Sequence, residues 1–359
     1  MRTFLIAASA LLSACALAPL AAAETPVQPV DLLLTSATVV DVEKGKTTPD
    51  QLVAVRGGDI VAVGPEGEAG RYRAVRTLDL GDRYVMPGLW DMHVHFGGGE
   101  ALIEENAELM PLFVVNGVVA VRDAAGDLAQ QVLDWRALPP TADAPRIFTS
   151  GPKIEGIAPV WKGVIETGSE AEVDAALDRL QALRVDFVKI TDNTLKPELF
   201  LYAVREAKKR GMKTSAHIPA SITVLTAAEA GLSSIEHLDY AMKAGSRDEA
   251  AIAADYLAGK YTYAQTMRRY ADTFDVETAH RVYARLAELG TAVSPTLYGS
   301  TTLANLDKDD HTHDDGLAYV GPGIRATYDW RVQRAAQATP QQVEDRHFVK
   351  DVTARTLPM

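Results

Sequence analysis

Apolar and polar residues alternate over short distances between residues 31 and 80 of the chain. Four apolar runs of three or four residues are separated by turn residues such as the stretch Arg56-Gly57-Gly58-Asp59. Successive side chains on a strand point to opposite faces, so short runs bounded by turns predict β-strands. We therefore predict a small β-sheet unit with strands at Leu32–Leu34, Thr38–Val40, Leu52–Val55 and Ile60–Val63.

Beyond His95 the apolar runs alternate with longer amphipathic stretches, which is typical of the parallel βα units of α/β proteins. The clearest helices are predicted at Glu170–Leu183 and Pro197–Arg210, and the second has Pro197 at its start and Gly211 just past its end. The predicted strands of this part are Tyr84–His95, Gly117–Arg122, Arg146–Ser150, Asp186–Ile190, Lys213–Ile218, Ser234–Leu238 and Thr291–Leu297.

Two stretches depart from this alternation. Residues 241–290 are long and polar with a helical pattern, and they predict a helical insertion that caps the sheet or extends a helix. Residues 298–340 include the acidic run Asp307–Asp315, which contains a second His-X-His at His311 and His313. We predict a solvated acidic loop there, because dense charge favours contact with water, and adventitious metal binding is the alternative.

The bulk properties allow one large or two medium domains in 359 residues. The formal net charge is −12, and without a basic stripe the sequence argues against a nucleic-acid partner. The first 23 residues have the features of a signal peptide, so we expect an exported protein, periplasmic or secreted. These features are Arg2, the apolar run Phe4–Leu12 and Ala21-Ala22-Ala23 before Glu24.

Cys15 is the single cysteine, so a protein cleaved after residue 23 has neither a disulfide nor a cysteine-ligated metal site. The run Leu12-Ser13-Ala14-Cys15 resembles a lipobox, in which Cys15 would carry lipid and tether the protein to a membrane. Pro19 and the small residues after it favour plain secretion. Both outcomes stay open at this point.

Residues 86–95 are the most informative part of the chain. An apolar strand leads through Pro87-Gly88 into His93-X-His95. Residues two apart on a strand point to the same face, so both imidazoles can reach one point. That point lies at the carboxyl end of the strand, where α/β barrels have their active sites. Two converging neutral imidazoles indicate a zinc-type site.

Further polar residues end later strands in the same way, namely Lys189, His217 and His237. Each has an ordinary structural explanation, such as a hydrogen-bonded histidine or a lysine that reaches solvent. The set of four histidines and one lysine on separate, ordered strands nevertheless predicts a metal site. Asp123 also follows a strand, and we interpret it as a helix N-cap.

These motifs resemble those of the amidohydrolase superfamily, in its branch of imidazolonepropionase-like and prolidase-like secreted enzymes. The resemblance runs from about Asp31 to Leu297. It rests on Val85–His95, Asp186–Lys189, Ala216-His217 and Ser234–His237, with further similarity at Asn116–Val118, Val121–Asp123 and Ser294–Leu297.

The resemblance implies an α/β fold, a distorted (β/α)8 TIM-like barrel over residues 85–359 with a small β-sandwich portion over residues 24–84. It also implies that His93 and His95 bind one divalent metal ion and that His217 and His237 bind a second. Lys189, carboxylated by CO2, would bridge the two ions, for which zinc is the expected metal. A carbamate is an anionic oxygen donor, and nearby cations favour it electrostatically.

The implied activity is hydrolysis of a carbon–nitrogen bond by metal-bound hydroxide. The expected substrate is a small amide, an N-acyl amino acid or a dipeptide. The narrower alternative is a prolidase-like dipeptidase, and another is a mononuclear enzyme in which Lys189 is an ordinary lysine. The stretches Ile190–Asn193 and Leu238–Tyr240 depart from the family pattern at the mouth of the barrel, so we expect a different substrate preference.

The family pattern includes an aspartate at the end of the eighth strand, within Gly-Thr-Asp, and no such motif follows Leu297. We therefore expect a C-terminally truncated form that lacks strand eight and its catalytic acid/base. No catalytic side chain beyond the metal ligands is assigned from the sequence, and the oligomeric state is left open. A further alternative is an impaired form that only binds metal.

Overall fold

The computed structural model describes residues 26–357, so the predicted signal peptide and the lipobox at Cys15 lie outside the described residues. The chain divides into two compact units, one ending at Pro87 and one beginning at Gly88. Among residues 26–357, no helix combines the length and the apolar composition that a bilayer crossing needs.

The first unit contains one five-stranded sheet in the order β3-β2-β1-β4, with β5 also paired to β1. Its strands are β1 (Gln28–Asp41), β2 (Lys46–Arg56), β3 (Asp59–Pro65), β4 (Tyr72–Asp79) and β5 (Tyr84–Val85). β2 is antiparallel to β1 and β3, whereas β4 and β5 run parallel to β1. Val30, Leu33, Leu52 and Ala54 form its buried core.

Two strand predictions in this region were wrong in detail. The strands predicted at Leu32–Leu34 and Thr38–Val40 are one strand, β1, because a positive φ of 52° at Ser36 allows an irregular register without ending the pairing. The strand predicted at Tyr84–His95 is interrupted. Its first two residues pair with β1, and the next strand begins at Leu89, after Pro87-Gly88.

The second unit is built on parallel strands. They are β6 (Leu89–Val94), β7 (Val118–Asp123), β8 (Arg146–Thr149), β9 (Lys153–Glu155), β10 (Val164–Glu166), β11 (Val188–Ile190), β12 (Thr214–Ala216), β13 (Ser234–Glu236) and β14 (Ala292–Ser294). One sheet has the order β6-β7-β8 and the other the order β10-β9-β11-β12-β13-β14. The amide of Asp186, just before β11, donates to the carbonyl of Thr149 at 2.9 Å, so the two sheets continue one another along a barrel wall.

Helices occupy most of the connections in the second unit. They are α1 (Ile103–Glu108), α2 (Met110–Val115), α3 (Ala129–Ala137), α4 (Glu170–Ala182), α5 (Pro197–Lys209), α6 (Val224–Ala230), α7 (Leu238–Met242), α8 (Glu249–Leu257), α9 (Tyr263–Asp272), α10 (Val276–Leu289), α11 (Leu297–Ala304), α12 (Pro322–Ala336) and α13 (Pro340–Ala354). The largest core cluster packs α4, α5 and α6 against the strands and includes Leu177, Phe200, Val188, Val224 and Ile235. This α/β arrangement of parallel strands and helices confirms the predicted fold class.

The two irregular stretches are both helical. Residues 241–290 contain α8, α9 and α10. Asp275 is the N-cap of α10, because its carboxylate accepts a hydrogen bond from the Thr278 amide at 2.9 Å. The acidic loop predicted at 298–340 is wrong for most of its length, because α11 and α12 occupy it. The charge run fills only the connection between them, where His311 Nδ1 lies 2.8 Å from a carboxylate oxygen of Asp314.

Candidate metal centre

The structure brings together the four histidines singled out in the sequence: His93, His95, His217 and His237. They meet as two pairs. The Nε2 atoms of His93 and His95 are 3.1 Å apart, and those of His217 and His237 are 3.0 Å apart. The pairs are adjacent, since the ring centroids of His93 and His237 are separated by 4.6 Å.

Two local backbone features place these rings. His93 and His95 are two residues apart at the end of β6, so their side chains point to the same face of the strand. His237 directly follows Glu236, and regular alternation would send the two side chains to opposite faces. A φ of 67° at His237 ends the strand there, and both side chains serve the same site. Such backbone conformations are rare outside glycine and cluster at functional sites.

Lys189 lies on β11 with only 1% of its surface exposed. Its Nζ has no hydrogen-bond partner among the described residues. Burial lowers the pKa of Lys189 to about 7, although the charge of Glu236 opposes the shift. The charge of Lys189 in turn contributes to a lowered pKa at each of the four histidines. A buried, unpaired amine is costly, so this side chain calls for a specific explanation.

Glu236 is fully buried and accepts hydrogen bonds from several side chains at once. Ser215 and Ser234 donate from their hydroxyls at 2.7 and 2.8 Å, His93 Nδ1 lies 2.6 Å away, and Arg122 donates from its guanidinium. Burial alone would raise the pKa of this carboxyl. The His93 hydrogen bond and the nearby cations outweigh burial and hold the pKa far below its usual range.

The Nδ1 atoms of His237 and His217 also have polar neighbours. His237 Nδ1 lies 2.8 Å from the Thr296 hydroxyl, and His217 Nδ1 lies 3.5 Å from a carboxylate oxygen of Asp192. A carboxylate that accepts a hydrogen bond from Nδ1–H keeps the proton on Nδ1 and so leaves the Nε2 lone pair free. Burial, reinforced by the neighbouring positive charges, lowers the pKa of all four rings, so the imidazoles are neutral at pH 7.

This arrangement fits a divalent metal. Two nitrogens that ligate one tetrahedral zinc ion lie about 3.3 Å apart, given zinc–nitrogen bonds of about 2.0–2.1 Å. The Nε2 separations of 3.1 and 3.0 Å are close to that value. Within residues 26–357, however, no three His, Cys, Asp or Glu side chains converge on one point. Each histidine pair therefore needs a further ligand, and the unpaired Lys189 is the candidate.

Tyr240 and Asp192, expected to influence substrate preference, here support His217. The Tyr240 ring stacks on the His217 ring with centroids 5.1 Å apart and an interplanar angle of 8°. The Tyr240 hydroxyl donates to the Asp192 carboxylate at 3.2 Å, and Asp192 faces His217 Nδ1. The two residues thus fix the plane and the tautomer of one candidate ligand.

The interpretation of Asp123 as a helix N-cap was wrong. The next helix, α3, begins six residues later at Ala129. The buried Asp123 carboxylate instead accepts from the amides of Phe96 and Ala125 and from the Thr149 hydroxyl. Burial raises its pKa to about 6. Asp123 therefore joins the ends of the three neighbouring strands β6, β7 and β8.

Sequence reasoning did not assign Glu236, Arg122 or Thr296. A signal for Glu236 existed. It lies two residues after Ser234 on a short buried strand, so both side chains point to the same inner face, where an unpaired acid would be costly. Arg122 and Thr296 carry no such signal, because their roles depend on partners far away in the sequence.

Comparison with solved structures identifies the fold. A bottromycin amidohydrolase superposes with a TM-score of 0.62 at 18% identity, covering 91% of this chain and 65% of that protein. A Xaa-Pro dipeptidase gives a TM-score of 0.54 at 20% identity, covering 89% of this chain and 84% of that protein. No family model matches the chain.

Sequence comparison with curated proteins finds shorter matches. An adenine deaminase of Ruegeria pomeroyi is 26% identical over 162 residues, 39% of this chain and 26% of that protein. A 5-methylthioadenosine/S-adenosylhomocysteine deaminase of Syntrophobacter fumaroxidans is 43% identical over 67 residues, 18% of this chain and 15% of that protein. The matches thus span about a quarter or less of these relatives' length. The chain therefore shares its fold with these two solved structures, and the predicted fold is confirmed at that level.

Proposed function

We propose that the protein is a metal-dependent hydrolase that cleaves a carbon–nitrogen bond in a small molecule. The observation that carries the proposal is the pair of facing Nε2 separations, 3.1 and 3.0 Å, beside the unpartnered Nζ of Lys189. Each separation is close to the spacing of two nitrogens that ligate one zinc ion. A fold shared with amidohydrolases supports the same conclusion.

In this proposal His93 and His95 hold one divalent ion and His217 and His237 hold the second, with zinc as the preferred metal for imidazole nitrogen. Lys189 joins the site as a carbamate. Its neutral amine attacks the carbon of CO2, an N–C bond forms, one C=O electron pair moves to oxygen, and the nitrogen releases a proton. The low pKa that burial gives Lys189 supports this step, because only the neutral amine reacts.

Two bound ions would supply a nucleophile at neutral pH and polarise the scissile carbonyl. The chain's own residues supply the geometry. Glu236 keeps the His93 proton on Nδ1, Thr296 orients His237, and Asp192 orients His217. Such supporting contacts fix ring orientation and raise ligand basicity, and their loss weakens metal binding about 10–100-fold.

The proposed substrates are small amides, N-acyl amino acids and dipeptides. A Xaa-Pro dipeptidase and a bottromycin amidohydrolase share the fold, and the dipeptidase favours prolidase-like activity as the narrower form of the proposal.

The test uses protein purified with zinc and bicarbonate, its metal content and its turnover on a panel of amides and dipeptides. His93→Ala combined with His95→Ala should remove at least one zinc equivalent and abolish turnover. His280→Ala, an exposed histidine on α10, is the matched control and should change neither. Turnover retained by the double variant without metal would refute the proposal.

Lys189→Ala separates the two-metal form from the mononuclear alternative. If Lys189 bridges two ions, its loss should remove a metal equivalent, and added short carboxylic acids should restore part of the activity. An unchanged metal content would show that Lys189 is an ordinary lysine, while the hydrolase proposal itself would stand.

We also propose export, based on the N-terminal sequence alone. The mass of the protein recovered from its native host tests this. A mature chain that starts at Glu24 supports secretion, a lipid-modified Cys15 supports a membrane tether, and an intact Met1 contradicts both.

A further inference from the structure

A second buried lysine has a single long ion pair as its direct charge partner. Lys153, the first residue of β9, is 4% exposed. Its Nζ is 3.8 Å from a carboxylate oxygen of Asp127, which is longer than a hydrogen bond. The Trp161 ring, with its centroid 5.7 Å from Nζ, flanks the ammonium and is itself 41% exposed.

The other acids near Lys153 are engaged elsewhere. Asp123 accepts from two backbone amides and from the Thr149 hydroxyl. Glu155 accepts from the backbone amides of Gly156, Thr194 and Leu195 and from the Asn193 side chain. Burial consequently lowers the pKa of Lys153 even though three carboxylates oppose it. Among the described residues the ammonium therefore has only the long ion pair with Asp127, and none of the short charge-assisted contacts that stabilise a buried cation best.

Lys153 also acts on the candidate metal centre. Its charge contributes to the lowered pKa of His95, His217 and Lys189. Its ion-pair partner Asp127 also accepts a hydrogen bond from the Gly98 amide at 3.5 Å, three residues past His95, so a group that binds Lys153 would lie near the histidines.

The backbone around Lys153 holds this arrangement in place. Gly126 and Gly163 approach so closely that a Cβ on Gly126 would stand 2.7 Å from the Gly163 carbonyl oxygen. The Lys153 amide donates to that same carbonyl at 3.2 Å. The segments that carry Asp127, Lys153 and Trp161 are thereby fixed to one another before any ligand arrives.

We propose that Lys153 binds a carboxylate of the substrate, with Trp161 covering one side of that subsite. This inference rests on the proposed hydrolase function and narrows its substrates to small amides with a free carboxylate, such as N-acyl amino acids and dipeptides. An incoming carboxylate would supply the short charge-assisted hydrogen bond that Asp127 does not make.

The experiment measures binding without turnover. Tryptophan fluorescence of the full chain is titrated with N-acetyl-L-alanine and, separately, with N-acetyl-L-alaninamide, which lacks the charge. Each titration is repeated after chelation of metal. We expect at least tenfold tighter binding of the carboxylate, in both conditions. Equal affinities would overturn the proposal, and so would a preference that disappears on chelation, since the metals would then hold the carboxylate.

Variants assign the preference to Lys153. Lys153→Met, which keeps the volume and removes the charge, should lose at least tenfold in affinity for the carboxylate and little for the amide. Lys162→Met removes an exposed lysine from the same loop and is the matched control. Asp127→Asn removes the distant counter-charge and should strengthen carboxylate binding at least threefold. An unchanged affinity of Lys153→Met for the carboxylate ligand overturns the proposal. If Lys153→Met does not fold, an unchanged or weaker affinity of Asp127→Asn for the same ligand overturns it.

Because these titrations need no catalysis, the two proposals fail independently. A chain that hydrolyses nothing but discriminates the two ligands through Lys153 would refute the hydrolase and keep the subsite. A chain that hydrolyses neutral and anionic amides equally well, in wild type and in Lys153→Met, would keep the hydrolase and refute the subsite.

Discussion

Glu236 and His93, 143 positions apart in the sequence, meet at 2.6 Å between a carboxylate oxygen and Nδ1. The contact joins the strands β6 and β13 across the interior of the second unit. It also sets the tautomer of His93, because a proton held on Nδ1 leaves Nε2 free to face His95. The buried Glu236 carboxylate thus both connects two distant strands and orients a candidate metal ligand.

Glu236→Gln tests this link. An amide of the same shape keeps the volume but removes the charge that compensates Arg122 and Lys189. Affinity for zinc should fall about 10–100-fold, as for other supporting contacts of metal ligands. Unfolding by urea should show a loss of about 3 kcal/mol or more, because buried cations are left unpaired. Isothermal titration with zinc and urea denaturation measure the two effects.

Glu229→Gln provides the matched control, because Glu229 is an exposed glutamate on α6. Neither its zinc affinity nor its stability should change by more than about 0.5 kcal/mol. If Glu236→Gln behaves like this control, Glu236 does not orient His93.

Lys189 gives a prediction about pH. Its pKa is about 7 in the folded protein and 10.5 as the ordinary value, so between these pH values the unfolded chain binds one more proton. The stability that this group contributes is therefore complete above about pH 10.5 and is lost as pH falls toward 7. In metal-free, CO2-free protein, the free energy of unfolding should rise by up to about 1.4 kcal/mol per pH unit between 7.5 and 9.5.

Lys189→Met should remove that slope, whereas Lys196→Met, at an exposed lysine before α5, should keep it. Lys243 is also buried with a lowered pKa and contributes in the same direction in all three proteins, so the difference between them isolates Lys189. Urea denaturation at several pH values provides the measurement. Parallel slopes in the wild type and Lys189→Met would contradict the low pKa.

Thr296 holds His237 through its hydroxyl at 2.8 Å and adopts a φ of 48°, an unfavourable conformation for a β-branched residue. Thr296→Val keeps the shape and removes the hydrogen bond. It should weaken binding of the second zinc equivalent about tenfold and leave the first nearly unchanged. Thr296→Ser keeps the hydroxyl and should bind both equivalents like the wild type. Competitive zinc titration resolves the two steps, and equal weakening of both would argue against separate histidine pairs.

Seven of the nine strands of the second unit correspond to predicted strands, because each is a short run between turn or helix signals, whereas β9 and β10 were not predicted. The strand boundaries were predicted wrongly where the backbone conformation overrides the apolar pattern. Ser36 takes a positive φ and β1 continues past it, while Pro87-Gly88 divides what reads as one strand. The loop predicted around the acidic run Asp307–Asp315 was extended too far, because the charge of that run says nothing about the structure of the residues on either side.

The candidate site was likewise predictable only in part. The histidines were predictable, since strand period and strand ends are local properties. The contacts that orient them were not, because Glu236 reaches His93 and Thr296 reaches His237 only after the strands have assembled. Asp123 was misassigned for the same reason, as its partners Phe96 and Thr149 lie on neighbouring strand ends.

The close approach of Gly126 and Gly163 gives a last prediction, about the segment that carries Trp161. Gly163 has a φ of 67°, and a Cβ there would overlap the Gly126 carbonyl group, which belongs to fixed backbone. Gly211, just past α5, has a similar φ of 73° but open space around its Cβ position. Gly211→Ala should therefore lose about 1–2 kcal/mol from the strained backbone alone. Gly163→Ala carries the same strain plus the overlap and should lose more than about 3 kcal/mol. Urea denaturation of both variants separates the cost of backbone strain from the cost of the overlap. Similar losses of unfolding free energy would show that the loop around Trp161 moves readily and does not hold Lys153 in place.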